Sequence, residues 1–139
     1  MLRRMAVRVS ATNANMSGVD RTSYRYNLEY RASAQSQMRD IAKRFLAGEI
    51  GVIEAARQFR PFHAVVEPMV ARALSVFIGI DSETDALPIG DLRGQWSAKA
   101  LRVEDEKITR AEREYGARGR AAAAHLVDLL DRPISDLPP

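Results

Sequence analysis

Residues 68–80 read Pro68-Met69-Val70-Ala71-Arg72-Ala73-Leu74-Ser75-Val76-Phe77-Ile78-Gly79-Ile80, and two secondary structures compete for them. The last five hold β-branched and aromatic residues that suit a strand. Against that, Met69, Val70, Ala73, Leu74, Phe77 and Ile78 fall at the i, i+1, i+4, i+5 spacing of a broad buried helical face. Pro68 fits the first helical turn, where a missing amide N–H costs nothing. Six successive matches to the helical period decide for helix, with Gly79 weakening its end. The fold expected is therefore all-α.

The flanking segments repeat the pattern. Upstream, Ile41, Ala42, Phe45 and Leu46 make one stripe from Met38 onward, and Gly48 stands where a left-handed cap ends a helix. Val52, Ile53, Ala56 and Phe59 make a second stripe, stopped by Pro61. The two form a tight hairpin. Downstream, Ser97 is a good N-cap for a long helix running to about Asp131. Leu101, Ile108, Tyr115, Ala122 and Leu129 recur every seven residues there. Ala111, Gly119, Ala123, Leu126 and Leu130 widen that seam, and its small residues let another helix approach closely. Glu106 and Arg110, and Glu114 and Arg118, are favourably ordered pairs on its outer face. Gly116 and Gly119 each cost about 1 kcal/mol against Ala in a helix, which points to a bend or break near residues 116–119. The expectation is a small bundle of about four helices over residues 37–132, closed by a Pro-rich end at 133–139.

Residues 1–36 lack a sustained apolar period, and are expected to be a basic, mostly disordered tail. Within them Tyr24-Arg25-Tyr26-Asn27-Leu28-Glu29-Tyr30-Arg31 alternates like a half-exposed strand or docking segment. Such tyrosines either pack on the domain or a partner, or stack on bases. The pI of 9.6 belongs to this end of the chain. Residues 1–40 hold seven Arg against three acids, a net of +4, while 41–139 hold 14 Lys and Arg against 15 Asp and Glu, a net of −1. Nucleic acid is thus a candidate partner only through the tail. Zero cysteines exclude disulfides and thiolate chemistry. No run reaches the roughly 18 apolar residues of a membrane span, nor does the N-terminus show the apolar run of a secretory signal. A cytoplasmic protein with no membrane association is expected.

Between the third and fourth helices lies Ile80-Asp81-Ser82-Glu83-Thr84-Asp85-Ala86-Leu87-Pro88-Ile89-Gly90-Asp91-Leu92-Arg93-Gly94-Gln95-Trp96, read as a structured acidic loop with apolar anchors at Ile80, Leu87, Ile89, Leu92 and Trp96. Asp81, Glu83 and Asp85 alternate like the first ligands of a calcium loop. That loop needs glycine at its sixth position and a bidentate Glu at its twelfth, where Ala86 and Leu92 stand. A looser divalent-metal site on two carboxylates remains open, beside the reading that these side chains cap helix ends and fix turns. Leu87 to Gly90 fits a type I turn, which would fold Arg93 back as a clamp on Asp81, Glu83 or Asp85. Trp96 supplies a large apolar body with one N–H donor.

Elsewhere the signals are weaker. His63 and His125 have no metal-ligand spacing. Arg57-Gln58-Phe59-Arg60-Pro61-Phe62-His63 reads as core phenylalanines with solvated arginines, or as phosphate contacts. No nucleophile elbow, phosphate loop or dinucleotide fingerprint is present.

The stretch F-I-G-I-D-S-E-T-D-A-L-P-I-G-D-L-R-G-Q-W, with L-A-G-E-I-G-V-I-E-A-A-R before it, resembles a family of small uncharacterised bacterial proteins sharing an I-D-S-E-T-D-x-L-P-x-G-x-x-R-x-x-W core. The resemblance spans roughly residues 38–131. It marks Asp81, Ser82, Glu83, Thr84, Asp85, Pro88, Gly90, Arg93 and Trp96 as family-like positions and implies no activity. The function expected is a small module of the immunity or antitoxin kind that needs no cofactor. It would dock on another protein through residues 81–96, with Asp81, Ser82, Glu83, Thr84, Asp85, Arg93 and Trp96 as contacts and no catalytic residues. Two alternatives stay open: a metal-dependent hydrolase using Asp81, Glu83 and Asp85, and nucleic-acid binding through the tail.

Overall fold

The structure, a computed structural model, describes residues 28–132. Four α-helices and two 3-10 segments make up its regular structure: α1 Leu28–Leu46, α2 Val52–Phe59, 3-10 Arg60–Phe62, α3 Pro68–Thr84, 3-10 Gly90–Gln95 and α4 Ala98–Leu130. No strand occurs among the described residues, and the fold is the expected all-α helical bundle. Several boundaries follow the expected signals. Gly48 has φ +81 and ends α1: its N–H donates to the Phe45 carbonyl and that of Glu49 to the Arg44 carbonyl, the two bonds of a Schellman motif. Pro68 opens α3, and the Ser97 hydroxyl accepts from the Ala100 N–H to cap α4.

Other boundaries differ. The first helix begins at Leu28 and not at Met38, so residues 28–36 belong to the domain and not to a tail. Its inner face over that stretch is formed by Ala34 and Gln35, both buried. One small and one polar residue there leave no apolar period to read. Tyr30 is half-buried against the core in a helix, so the strand reading fails for residues 28–31. Residues 1–27, including Tyr24 and Tyr26, and the Pro-rich end 133–139 lie outside the described residues. The third helix runs past Gly79 to Thr84, because Ile80, Asp81 and Thr84 continue its buried face. The fourth helix is unbroken at Gly116 and Gly119.

The core is assembled where three phenylalanines meet. The Phe77 ring of α3 lies 4.6 Å from Phe59 of α2 and, edge-on at 88°, 6.2 Å from Phe45 of α1. Such pairs add about 0.5–1.5 kcal/mol each beyond the area they bury. On the far side α4 comes close enough that a Cβ on Gly119 would meet Val52 Cγ2 at 2.5 Å and Phe45 Cζ at 3.3 Å. Glycine there costs helix propensity and returns it as close packing of three helices.

Polar contacts set the helix directions. Arg39 of α1 donates to the Leu130 carbonyl and pairs with Asp131 at 3.0 Å, while Phe45 faces Gly119, so α1 and α4 run antiparallel. Arg31 joins the start of α1 to buried Glu67, the residue before α3. The N-terminus of α2 is capped from another helix. Glu112 of α4 accepts the Val52 N–H at 2.9 Å and the Ile53 N–H at 3.2 Å, one on each carboxylate oxygen. These are orphan donors of a first turn, and an anion is favoured there by the helix dipole. Gly51 makes the room, since a Cβ on it would lie 2.6 Å from Glu112 Oε2.

Candidate functional site

Successive helical residues turn about 100°, and that rotation sorts the acidic run. Asp81 and Thr84 lie on the inner face of α3 and are buried, while Ser82, Glu83 and Asp85 are exposed. Asp81 accepts from Arg60 at 2.7 Å and lies 3.8 Å from the Arg57 Nε. Arg57 also donates to the carbonyls of Thr84 and, at 2.8 Å, Leu87. The guanidinium of α2 therefore satisfies the last carbonyl of α3, where positive charge is favoured, and that of Leu87 just beyond it. The Thr84 hydroxyl donates back to the Ile80 carbonyl at 2.7 Å.

This arrangement corrects the expected clamp. Arg93 does not hold Asp81, Glu83 or Asp85; its fork goes to Asp105 of α4, at 2.7 and 3.1 Å, with a longer bond to the Pro88 carbonyl. The backbone explains why. Ile89 is extended at φ −125, ψ 144, and Gly90 is left-handed at φ +66. No type I turn forms, so the chain is carried along α4 and not back to α3. The Arg93 fork holds the Asp105 carboxyl below its ordinary range, and Asp105 in turn raises Arg93. Arg57 is likewise not a solvated arginine, whereas Phe59 and Phe62 are core as expected.

Of the seven expected contact residues, Asp81 and Thr84 are thus interior supports and Arg93 is committed to Asp105. Ser82, Glu83, Asp85 and Trp96 remain on the surface. The described residues contain no grouping of three metal-ligating side chains. Asp81 and Glu83 leave the helix on opposite sides, and buried Asp81 is taken by arginines. His63 is half-buried in the turn after the first 3-10 segment. His125 is exposed on α4.

The surface feature that stands out is the first third of α4. All the buried residues of this helix lie from Ala111 onward. Residues 98–110, about 20 Å of helix at 1.5 Å per residue, bury nothing completely. They are braced by the strip 87–96, whose Leu87 and Ile89 pack on the core and whose Arg93 grips Asp105. This arm carries three of the four exposed large hydrophobics among the described residues: Leu92 at 52%, Trp96 at 40% and Val103 at 57%. Leu92 and Trp96 are not the loop anchors expected. Val103 was missed because it lies off the seven-residue stripe of Leu101 and Ile108. At the root of the arm, the Tyr115 phenol is raised above its ordinary value by burial first, then by Glu114 and Glu83.

Comparison with known proteins adds nothing to this geometry: no family model, no curated protein and no solved structure matches the chain. Among the described residues no helix is long and apolar enough to cross a membrane.

Proposed function

We propose that the protein is a docking module that binds another protein through the arm formed by residues 87–110. One observation carries the reading: the first third of the longest helix buries nothing completely, and Val103 on it is exposed together with Leu92 and Trp96 on the adjoining strip. Isolated surface hydrophobics are ordinary, but three of the four large ones among the described residues on one arm give apolar surface for a partner to cover. Aromatic residues such as Trp96 are the usual anchors of such contacts. The exposed charges of the arm are of both signs, Asp91 and Glu106 with Lys99, Arg102, Lys107 and Arg110, so the complementary surface is an apolar patch with a mixed polar rim. The immunity or antitoxin role expected from the sequence is a narrower form of this reading, in which the partner is one larger protein. A cytoplasmic location goes with it, on the cysteine-free composition. The test is a pull-down from native lysate with wild type and with Leu92→Ser/Trp96→Ala/Val103→Ser. The variant is expected to melt like wild type and to lose the partner; equal capture by both would sink the reading.

A further inference from the structure

A groove of about 370 Å³ lies between the first half of α3 and the second half of α4. Met69, Arg72, Ala73 and Val76 line it from α3, at the i, i+3, i+4, i+7 spacing of one helical face. Arg118, Ala121, Ala122 and His125 repeat that spacing on α4. Each helix therefore contributes small or apolar side chains to the floor and one arginine to the rim. Ala73 is buried, Met69, Val76 and Ala122 are half-buried, and both arginines are exposed. Neither arginine forms an ion pair among the described residues. Glu114 and Glu83 act on the phenol of Tyr115, whose ring centre lies 5.7 Å from the Arg118 guanidinium. No carboxylate lines the groove itself.

We infer that the groove binds a free anionic amphiphile of the fatty-acid class, its alkyl chain on the Met69, Ala73 and Ala122 floor and its acid group accepting from Arg72 and Arg118. The lining selects each part of that chemistry. A floor without polar side chains asks for an apolar body, and the alanines let it lie close to both helix backbones. Met69 is flexible enough to follow its shape. Two guanidinium forks, one from each helix, suit a carboxylate. No Phe, Tyr or Trp lines the groove to stack a base, and no carboxylate stands there to hold an amine or a ribose. The volume is at the small end of ligand sites, which run to about 300–1,000 Å³, so it suits one short chain. The groove shares no residue with the arm 87–110, and the inference goes beyond the docking reading.

The test is nitrogen-15 NMR of the full chain titrated with sodium decanoate below its micelle concentration. Saturable amide shifts are expected on the facing stretches 69–76 and 118–125. Decanol, which keeps the chain and lacks the charge, is expected to bind about tenfold more weakly, as is decanoate to Arg72→Gln/Arg118→Gln. Both arginines are exposed, and a wild-type melting curve confirms that this variant folds. Ala122→Leu fills the floor from within and is expected to abolish binding. Absence of shifts up to roughly 1 mM decanoate, equal affinity for decyltrimethylammonium, or undiminished binding by the double arginine variant would each overturn the inference. So would contacts from residues 1–27 or 133–139 to Met69 or Ala122 in the free protein, which would give the groove to the chain itself. Binding to phosphatidylglycerol vesicles without binding of free decanoate would give it to a lipid surface and overturn the inference as well.

Discussion

Arg57 of α2 and Thr84 of α3, 27 residues apart in sequence, are joined by a guanidinium N–H donated to the last helical carbonyl. The same side chain caps Leu87 and faces Asp81. The arginine that stabilises the acidic run therefore comes from another helix, and Arg93 of the run itself serves the arm.

A difference in stability between the two arginines follows. Arg57→Ala removes a guanidinium that is 22% exposed and faces a carboxylate 5% exposed. Breaking a buried pair costs about 3–5 kcal/mol, and the lower end is expected because Arg60 still holds Asp81. Arg93→Ala, at a solvent-exposed pair, is expected to leave the urea midpoint nearly unchanged. If Arg93→Ala were the more damaging of the two, the assignment of Asp81 to Arg57 and Arg60 would be wrong.

Two helix glycines are expected to respond in opposite directions to alanine. At Gly79 an added Cβ meets nothing within 4 Å, so Gly79→Ala is expected to stabilise by about 0.5–1 kcal/mol through helix propensity. At Gly119 the Cβ collides with Val52, and overpacking of that kind costs about 1–3 kcal/mol, enough to outweigh the same propensity gain. Thermal melts of the two variants check the pair. Equal shifts would mean that α4 does not approach α1 and α2 as closely as described.

The ion pair between Arg93 and Asp105 makes the bracing of the arm pH-dependent. The folded-state carboxyl of Asp105 lies below its ordinary value of 3.8. Its contribution is therefore complete above that value and is lost as pH falls through the depressed folded value. Trp96, the only tryptophan, reports the event. Acrylamide quenching of its fluorescence is expected to rise at acid pH in wild type, and to be raised already at neutral pH in Asp105→Asn. Quenching in Asp105→Asn equal to wild type would show that the fork does not hold the strip.

How much of this was legible in the residues depends on the kind of contact. The stripes of α2, α3 and α4 were readable because large apolar side chains repeat at the helical period, and Gly48, Pro68 and Ser97 mark ends by local backbone chemistry. The first turns of α1 were silent, since Ala34 and Gln35 fill buried positions without a hydrophobic signature. The acidic run was located but misassigned. Its alternation suggests one cluster, yet a helix sends Asp81 inward and Glu83 outward. Contacts such as Arg57 with Thr84, or Glu112 with the Val52 amide, join residues far apart in sequence, and nothing local in a single sequence announces them.

An arm that serves as a docking surface is covered by another protein. Site-specific photo-crosslinking addresses it directly, with the photoreactive residue placed at Trp96 or Val103 in the full chain and, as a control, at exposed Ser75 on α3. One discrete protein adduct is expected from positions 96 and 103, identified by mass spectrometry and absent from position 75. No adduct from the arm, or the same diffuse adducts from all three positions, would contradict it.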